Sequence, residues 1–264
     1  MTRNIVLCAD DYGLSPGISR GIRQLLQVNR LSATSCMVVY PEFPADGHLL
    51  RPFVATIDAG LHFTLTRDRS LASVLAAGWL RRLSRDKVRR ELQHQLDIFE
   101  SVIGRPPHYI DGHQHVHLLP GVREIVAEAA ANIGAYLRLT HEPLTPAMFG
   151  RPAPISSAYL SWASGPLARL AAAQGVRTNH GFRGVRSFNE SVPFRQLFRK
   201  MIDGAADATI VMCHPGHVDE ALKARDPIHR QREEESAYLA SDDFPRDLSA
   251  ASLQLATFRA VQSG

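Results

Sequence analysis

Short apolar runs that end in polar clusters recur along the chain, and between them lie stretches whose apolar residues return at helical spacing. Asn4 opens a short apolar run, Ile5 to Ala9, that stops at Asp10-Asp11, the pattern of a buried parallel strand with chemistry at its C-terminal end. Ser15-Pro16 supplies an N-cap followed by a first-turn proline and predicts a helix to about residue 29. Residues 32–40 and 54–65 predict a second and a third strand, the latter carrying His62 near its end. Val88, Leu92, Leu96, Phe99 and Ile103 share one helical face over 86–103, and Gly104 and Pro106 end that helix. A strand over 108–112, a helix over 121–133 and a strand over 136–140 follow. Residues 142–154 hold four prolines and predict an excursion loop of the kind that shapes a binding site. A helix to 174, a strand over 176–182, a helix over 193–203 and a strand over 208–213 come next. The tail, with Arg232-Glu233-Glu234-Glu235 and Asp242-Asp243, reads as helical and surface-bound.

Strands alternating with helices imply an α/β fold around a parallel sheet. Seven such strands in one chain favour a (β/α) barrel, TIM-like but distorted or incomplete, over an open sheet. Neither a repeat nor a linker divides the chain, so residues 1–264 are expected to form a single domain.

Composition narrows the class. With 264 residues, 45% hydrophobic and 21% charged, the chain has the balance of a globular protein. Cys8, Cys36 and Cys213 are widely spaced and odd in number, which speaks against a disulfide framework and fits a reducing compartment. No apolar run approaches the length that spans a bilayer, and the short run after Asn4 does not resemble a signal peptide; a cytoplasmic protein without an integral membrane segment is expected. The net charge is +4, but the basic stretch Arg81-Arg82 and 85–90 has no interleaved aromatics, so it reads as a solvated helix face and no nucleic-acid partner is expected. Twelve histidines are the compositional oddity, with His108, His113, His115 and His117 inside ten residues.

Asp10-Asp11, His62, Asp111-Gly112-His113 and His214 each follow a predicted strand. In a parallel barrel all strand C-termini open on one face, so these clusters converge. One acid and two histidines from three strands make a metal site with open positions, suited to zinc, manganese, iron(II) or magnesium. Each cluster alone has a plainer reading: Asp10-Asp11 as a helix cap, His62 as a core histidine, His214-Pro215-Gly216 as a turn. In extended form His113, His115 and His117 would share one face, an arrangement natural for a ligand and its neighbours.

The blocks Ala9-Asp10-Asp11-Tyr12-Gly13-Leu14-Ser15, Gly60-Leu61-His62-Phe63-Thr64-Leu65-Thr66, Tyr109-Ile110-Asp111-Gly112-His113-Gln114-His115-Val116-His117 and His214-Pro215-Gly216 resemble, in order and spacing, those of the YdjC/ChbG family of carbohydrate deacetylases. The resemblance implies a (β/α) barrel and metal-dependent removal of acetyl from an N-acetylated amino sugar, in an oligosaccharide or linked to a lipid as in the branch associated with hopanoid biosynthesis. It implies one divalent ion, magnesium or zinc, on Asp11, His62 and His113. It gives Asp10 the position of the catalytic base and His214 that of the acid, with His217 competing for the latter role. His217, Asp111 and Arg138 are the candidates for substrate contact, and homodimerisation stays open. Three positions depart from the family pattern: Tyr12 for phenylalanine, Gly112 for serine and His217 for tyrosine. Another metal-dependent amide or ester hydrolase, a non-haem iron(II) enzyme and a non-catalytic sugar- or metal-binding protein are the alternatives that the same residues allow.

Overall fold

A computed structural model describes residues 2–143, 146–188 and 192–261; Met1 and residues 262–264 of the expected domain, and Leu144 and Thr145 of the predicted loop, lie outside them. The strands are β1 (Arg3–Tyr12), β2 (Ala33–Cys36), β3 (Asp58–Phe63), β4 (Tyr109–Gly112), β5 (Tyr136–Leu137), β6 (Gly181–Arg183), β7 (Thr209–Cys213) and β8 (Leu253–Leu255). Their order is β5-β4-β3-β2-β1-β7-β6, every pair is parallel, and β8 adds to the start of β1. Helices between the strands cover the outside, giving an incomplete, distorted (β/α) barrel.

The open seam lies between β5 and β6. A single bridge, Leu137 to Thr178, joins the two sides, and a side chain continues the ladder. Asn179 Oδ1 accepts the Leu139 N–H at 2.7 Å, and its Nδ2 donates to the Leu139 carbonyl at 3.0 Å and to the Gly181 carbonyl at 2.7 Å. One buried amide thus satisfies backbone groups that a sheet partner would otherwise satisfy.

Alternation along the strands sorts side chains between the helix layer and the barrel interior. Val6 and Cys8 of β1, Tyr109 of β4, Tyr136 of β5, Phe182 of β6, and Ile210 and Met212 of β7 pack together with Ala33 and Phe258. Gly60 of β3 makes room in this layer, since a Cβ there would lie 2.4 Å from the Tyr109 ring. Two residues further along, the same inward set becomes Asp10, His62, Asp111, Arg138 and His214. The barrel is apolar below and ionised at its C-terminal mouth.

Local signals fix several elements where expected. Ser15 caps the helix Pro16–Gln27 by accepting the Ile18 N–H, and left-handed Gly104 ends the helix Arg85–Ile103, whose N-cap, Ser84, was not predicted. Strand lengths differ from expectation. The stretch predicted as strand over 32–40 pairs only through Ala33–Cys36, and 54–65 only through Asp58–Phe63, because a 3₁₀ helix, Gly47–Phe53, precedes it. The helix Leu71–Trp79 and β8 were not expected. The tail is helical, as expected, but not confined to the surface: Arg232 and Glu235 are buried. Among the described residues no helix is long and apolar enough to cross a membrane.

Two stability predictions follow from buried side-chain acceptors. Asn179→Ala strands both polar groups of Leu139, and urea denaturation is expected to show a loss of about 1–3 kcal/mol. His108 Nδ1 accepts the Ala59 N–H at 3.0 Å, which requires the neutral ring; burial, reinforced by Arg259 and Arg105, pushes its pKa from 6.5 down to about 3. Between those values the unfolded chain binds the extra proton and the folded chain does not, so this residue costs stability as pH falls. The drop in urea midpoint from pH 7 to pH 5 should therefore be smaller in His108→Gln than in the parent; equal drops would refute it.

Candidate functional site

Asp10 and Asp11 close β1, and strict alternation would send Asp11 away from the mouth. The register on β2 shifts between Ala9 and Tyr12, a bulge that inserts an extra residue into β1. Asp11 absorbs it with φ 72°, a left-handed conformation that aspartate tolerates better than most side chains. Both carboxylates reach the ring of His62: donor atoms of Asp11, His62 and His113 lie within 4.8 Å of one another, as do those of Asp10, His62 and Asp111.

The second of these groups is already occupied by protein partners. Arg138 has no solvent exposure and grips Asp10 with both terminal nitrogens, at 2.6 and 2.9 Å. Its Nε lies 2.9 Å from Asp111 Oδ2, which also accepts Ser35 Oγ at 2.6 Å. The other Asp111 oxygen meets His62 Nδ1 at 2.6 Å and turns Nε2 toward Asp11. Burial by itself would raise the pKa of both carboxyls; Arg138 first, then His62, reverses this, holding Asp10 below its usual value and Asp111 at about 2. Arg138 thus sits beneath the carboxylates as their counter-charge, buried with no surface toward the mouth.

The first group is the one with donors to spare. Asp11 Oδ2 accepts Arg232 Nη2 at 2.7 Å, and the same nitrogen reaches Asp226 at 2.7 Å. Asp11 Oδ1 is buried with no hydrogen-bond partner among the described residues, 3.5 Å from His62 Nε2 and 3.2 Å from His113 Nδ1. Burial opposes its charge, but Arg232 and then His113 hold the Asp11 carboxyl well below the usual carboxylate range. An ionised oxygen with a free lone pair, facing two imidazole nitrogens of which one is backed by a carboxylate, fits a divalent cation.

His113 and its neighbours do not continue as the extended run expected. Residues His113–Leu118 form a tight turn, kinked where Gln114 and His115 take φ 52° and 60°. Only His113 is directed to Asp11. His117 Nε2 bonds the Arg138 carbonyl at 3.0 Å, and His115 sets its ring edge-to-face against Phe182 at 5.8 Å. The departure at Gly112 has a local reason, since a Cβ there would lie 2.8 Å from the His117 nitrogen.

His214 follows β7 at the mouth, its N–H donated to Glu235 Oε2 at 2.5 Å and its ring edge-on to Phe188. Burial lowers its pKa against the pull of Asp11 and Glu235. Glu235 is held by Arg186 at 2.8 Å. His217 instead turns to Gln24 Oε1 at 2.7 Å, on the helix Pro16–Gln27. Sequence patterns missed Arg232 and Glu235, whose role depends on the helix Arg230–Ala240 returning to the mouth.

A family model described as YdjC-like protein matches residues 4–250. A chitooligosaccharide deacetylase of Citrobacter koseri is 27% identical over 240 residues, 84% of this chain and 85% of that one. A candidate cellobiose-phosphate cleavage protein of Enterococcus faecalis V583 shares the fold with a TM-score of 0.72 at 18% identity over 99% of both chains. A family 4 acetyl xylan esterase of Clostridium thermocellum, solved with a cobalt ion, shares it with a TM-score of 0.52 at 11% identity, over 99% of this chain and 91% of that one.

Arg232→Met removes the group that fixes Asp11 Oδ2 while sparing all three candidate ligands. Titration of zinc into metal-free protein should show affinity about 10–100-fold weaker, the scale seen when a ligand loses its outer partner. Unchanged affinity in folded variant protein would show that Asp11 needs no such support.

Proposed function

The chain belongs to the YdjC-like family, and on that premise we propose that it is a metal-dependent hydrolase that removes acetyl from an N-acetylated amino sugar, in an oligosaccharide or attached to a lipid. The observation that carries this reading is the orphaned, ionised Asp11 Oδ1 facing His62 Nε2 and His113 Nδ1. Asp11, His62 and His113 would hold the ion, either magnesium or zinc. Bound there, it supplies Lewis acidity toward a carbonyl oxygen and a more acidic water.

The remaining steps belong to side chains of this chain. Arg138 keeps Asp10 ionised and is, among the described residues, the one donor to its Oδ2, which keeps a lone pair, so Asp10 is the group to take the proton from water as it attacks the acetyl carbon. When the carbon–nitrogen bond breaks, the departing nitrogen needs a proton, because an amide anion is too basic to leave. His214 stands at the mouth near enough to Asp11 and Asp10 for their charges to act on it, and we assign it that delivery. His217, turned to Gln24, is left for the sugar. The products are acetate and a free amino sugar. Arg138 and Asp111, first considered for substrate contact, are assigned to positioning Asp10 and His62. The activity is assigned to the cytoplasm.

Acetate release from N-acetylglucosamine compounds, from chitobiose to lipid-linked sugars, tests the reading, with metals supplied singly to chelator-treated protein. Activity is expected to vanish on chelation and return with one or more divalent ions. His62→Ala and His113→Ala should lose metal and turnover together. Asp10→Asn should keep the metal while turnover falls at least about 10²-fold, the scale of a lost general base. Full metal content in both histidine variants, or full turnover in Asp10→Asn, would overturn the assignment.

A further inference from the structure

On the outside of the barrel, beside the turn that carries His113, large apolar side chains face solvent together. The helix Pro154–Ala173 places Ile155, Tyr159 and Trp162 along one stripe at helical spacing, with Ile155 83% and Trp162 65% exposed. Trp79, at the end of the helix Leu71–Trp79, stacks on Trp162 at 5.5 Å and donates its indole N–H to the Tyr159 hydroxyl at 3.1 Å. Leu80 and Phe149 are 60% and 70% exposed. Both helices pack on the turn His113–Leu118, and Gly78 lies against Leu119, which follows it.

The chain segments that carry this surface are basic. Residues 71–85 and 149–188 contain no aspartate or glutamate, yet they hold Arg81, Arg82, Arg85 and Arg169, all exposed. A glycan platform pairs a stacking ring with planar acceptors such as carboxylates and amides. Here the rings are bordered by aliphatic side chains and arginines instead. Exposed tryptophan and tyrosine with aliphatic neighbours and surrounding arginines are the chemistry of the bilayer interface, where rings settle at headgroup depth and guanidinium groups meet anionic lipid.

We propose that this surface docks the protein on an anionic lipid bilayer, with Trp79, Leu80, Ile155, Tyr159 and Trp162 entering the headgroup region. The proposal stands apart from the deacetylase reading, and binding is measured without turnover. The two tryptophans of the chain are both in the patch, so intrinsic emission reports on it alone.

The full chain is mixed with vesicles of phosphatidylcholine, with and without phosphatidylglycerol, and emission and co-sedimentation are followed. Emission should shift to the blue, and protein should sediment with the anionic vesicles, less so at high salt. Leu80→Glu and Ile155→Glu, exposed changes that keep both tryptophans, should each weaken partitioning at least about tenfold, the scale of one buried aliphatic side chain. Circular dichroism checks that both variants remain folded, and a single-variant defect suffices. Three results would overturn the proposal. They are unshifted emission with anionic vesicles, a shift produced by chitooligosaccharide and not by vesicles, and emission that changes on dilution without lipid, the sign of a second copy covering the patch.

Discussion

Four carboxylates and two guanidinium groups are packed together at the mouth of the barrel, and their charge balance governs what surrounds them. Arg138 is shared by Asp10 and Asp111, and Arg232 by Asp11 and Asp226. The count leaves two negative charges, the number that a divalent cation neutralises. Burying ions is costly unless each finds a partner in good geometry, and here the partners come from distant segments: Arg138 from just beyond β5, Arg232 from the helix Arg230–Ala240. The barrel therefore has to bring these segments to one end before the site can exist. Its lower, apolar layer of Tyr109, Tyr136, Phe182 and Phe258 supplies the packing that holds them there.

The same network divides labour between two adjacent aspartates. Asp10 gives one lone pair of each oxygen to Arg138 and remains a carboxylate whose position is fixed by two bonds. Asp11 spends one oxygen on Arg232 and keeps the other free. The bulge in β1 makes the division possible, because an unbroken strand would have turned one of the two away from His62. A left-handed aspartate at a site of chemistry is a local strain that surrounding bonds must sustain, and the Arg232 contact is one of those bonds.

Much of the candidate site was legible because its residues sit where a periodic pattern breaks. Asp10, His62, Asp111 and His214 each end an apolar run, and parallel strands put such ends on one face. The central strands, the Ser15 cap and the Gly104 stop were readable for the same reason: the signals are local, although the stretch expected as strand over 176–182 pairs in β6 only from Gly181 on. What local patterns do not carry is the return of distant chain. Arg232 contacts Asp11 across 221 positions, and an Arg-Glu-Glu-Glu run gives no hint that its first and last members are buried. The kinked turn at His113–Leu118 was misjudged because three alternating histidines look extended, whereas Gly112 and two left-handed residues fold the chain back on Arg138. Asn179 escaped notice since it acts as a piece of sheet, a role that only the neighbouring backbone defines.

The two sides of the barrel mouth are built with different tolerances. On the β1–β4 side, ladders interrupted only by the bulge in β1 fix Asp10, His62 and Asp111 relative to one another. On the far side the ladder thins to one bridge and the Asn179 amide, and the segments beyond β5 and β6 are anchored by ion pairs, Glu142 with Arg183 at 2.7 Å and Glu235 with Arg186. Ladder hydrogen bonds and buried packing resist opening together, whereas a seam of few contacts opens at lower cost. The half with the fuller ladders thus holds Asp10, His62 and Asp111, and the seam borders the helix Pro154–Ala173. Arg138 joins the two halves: its backbone follows β5 at the seam, and its side chain reaches across to Asp10 on β1.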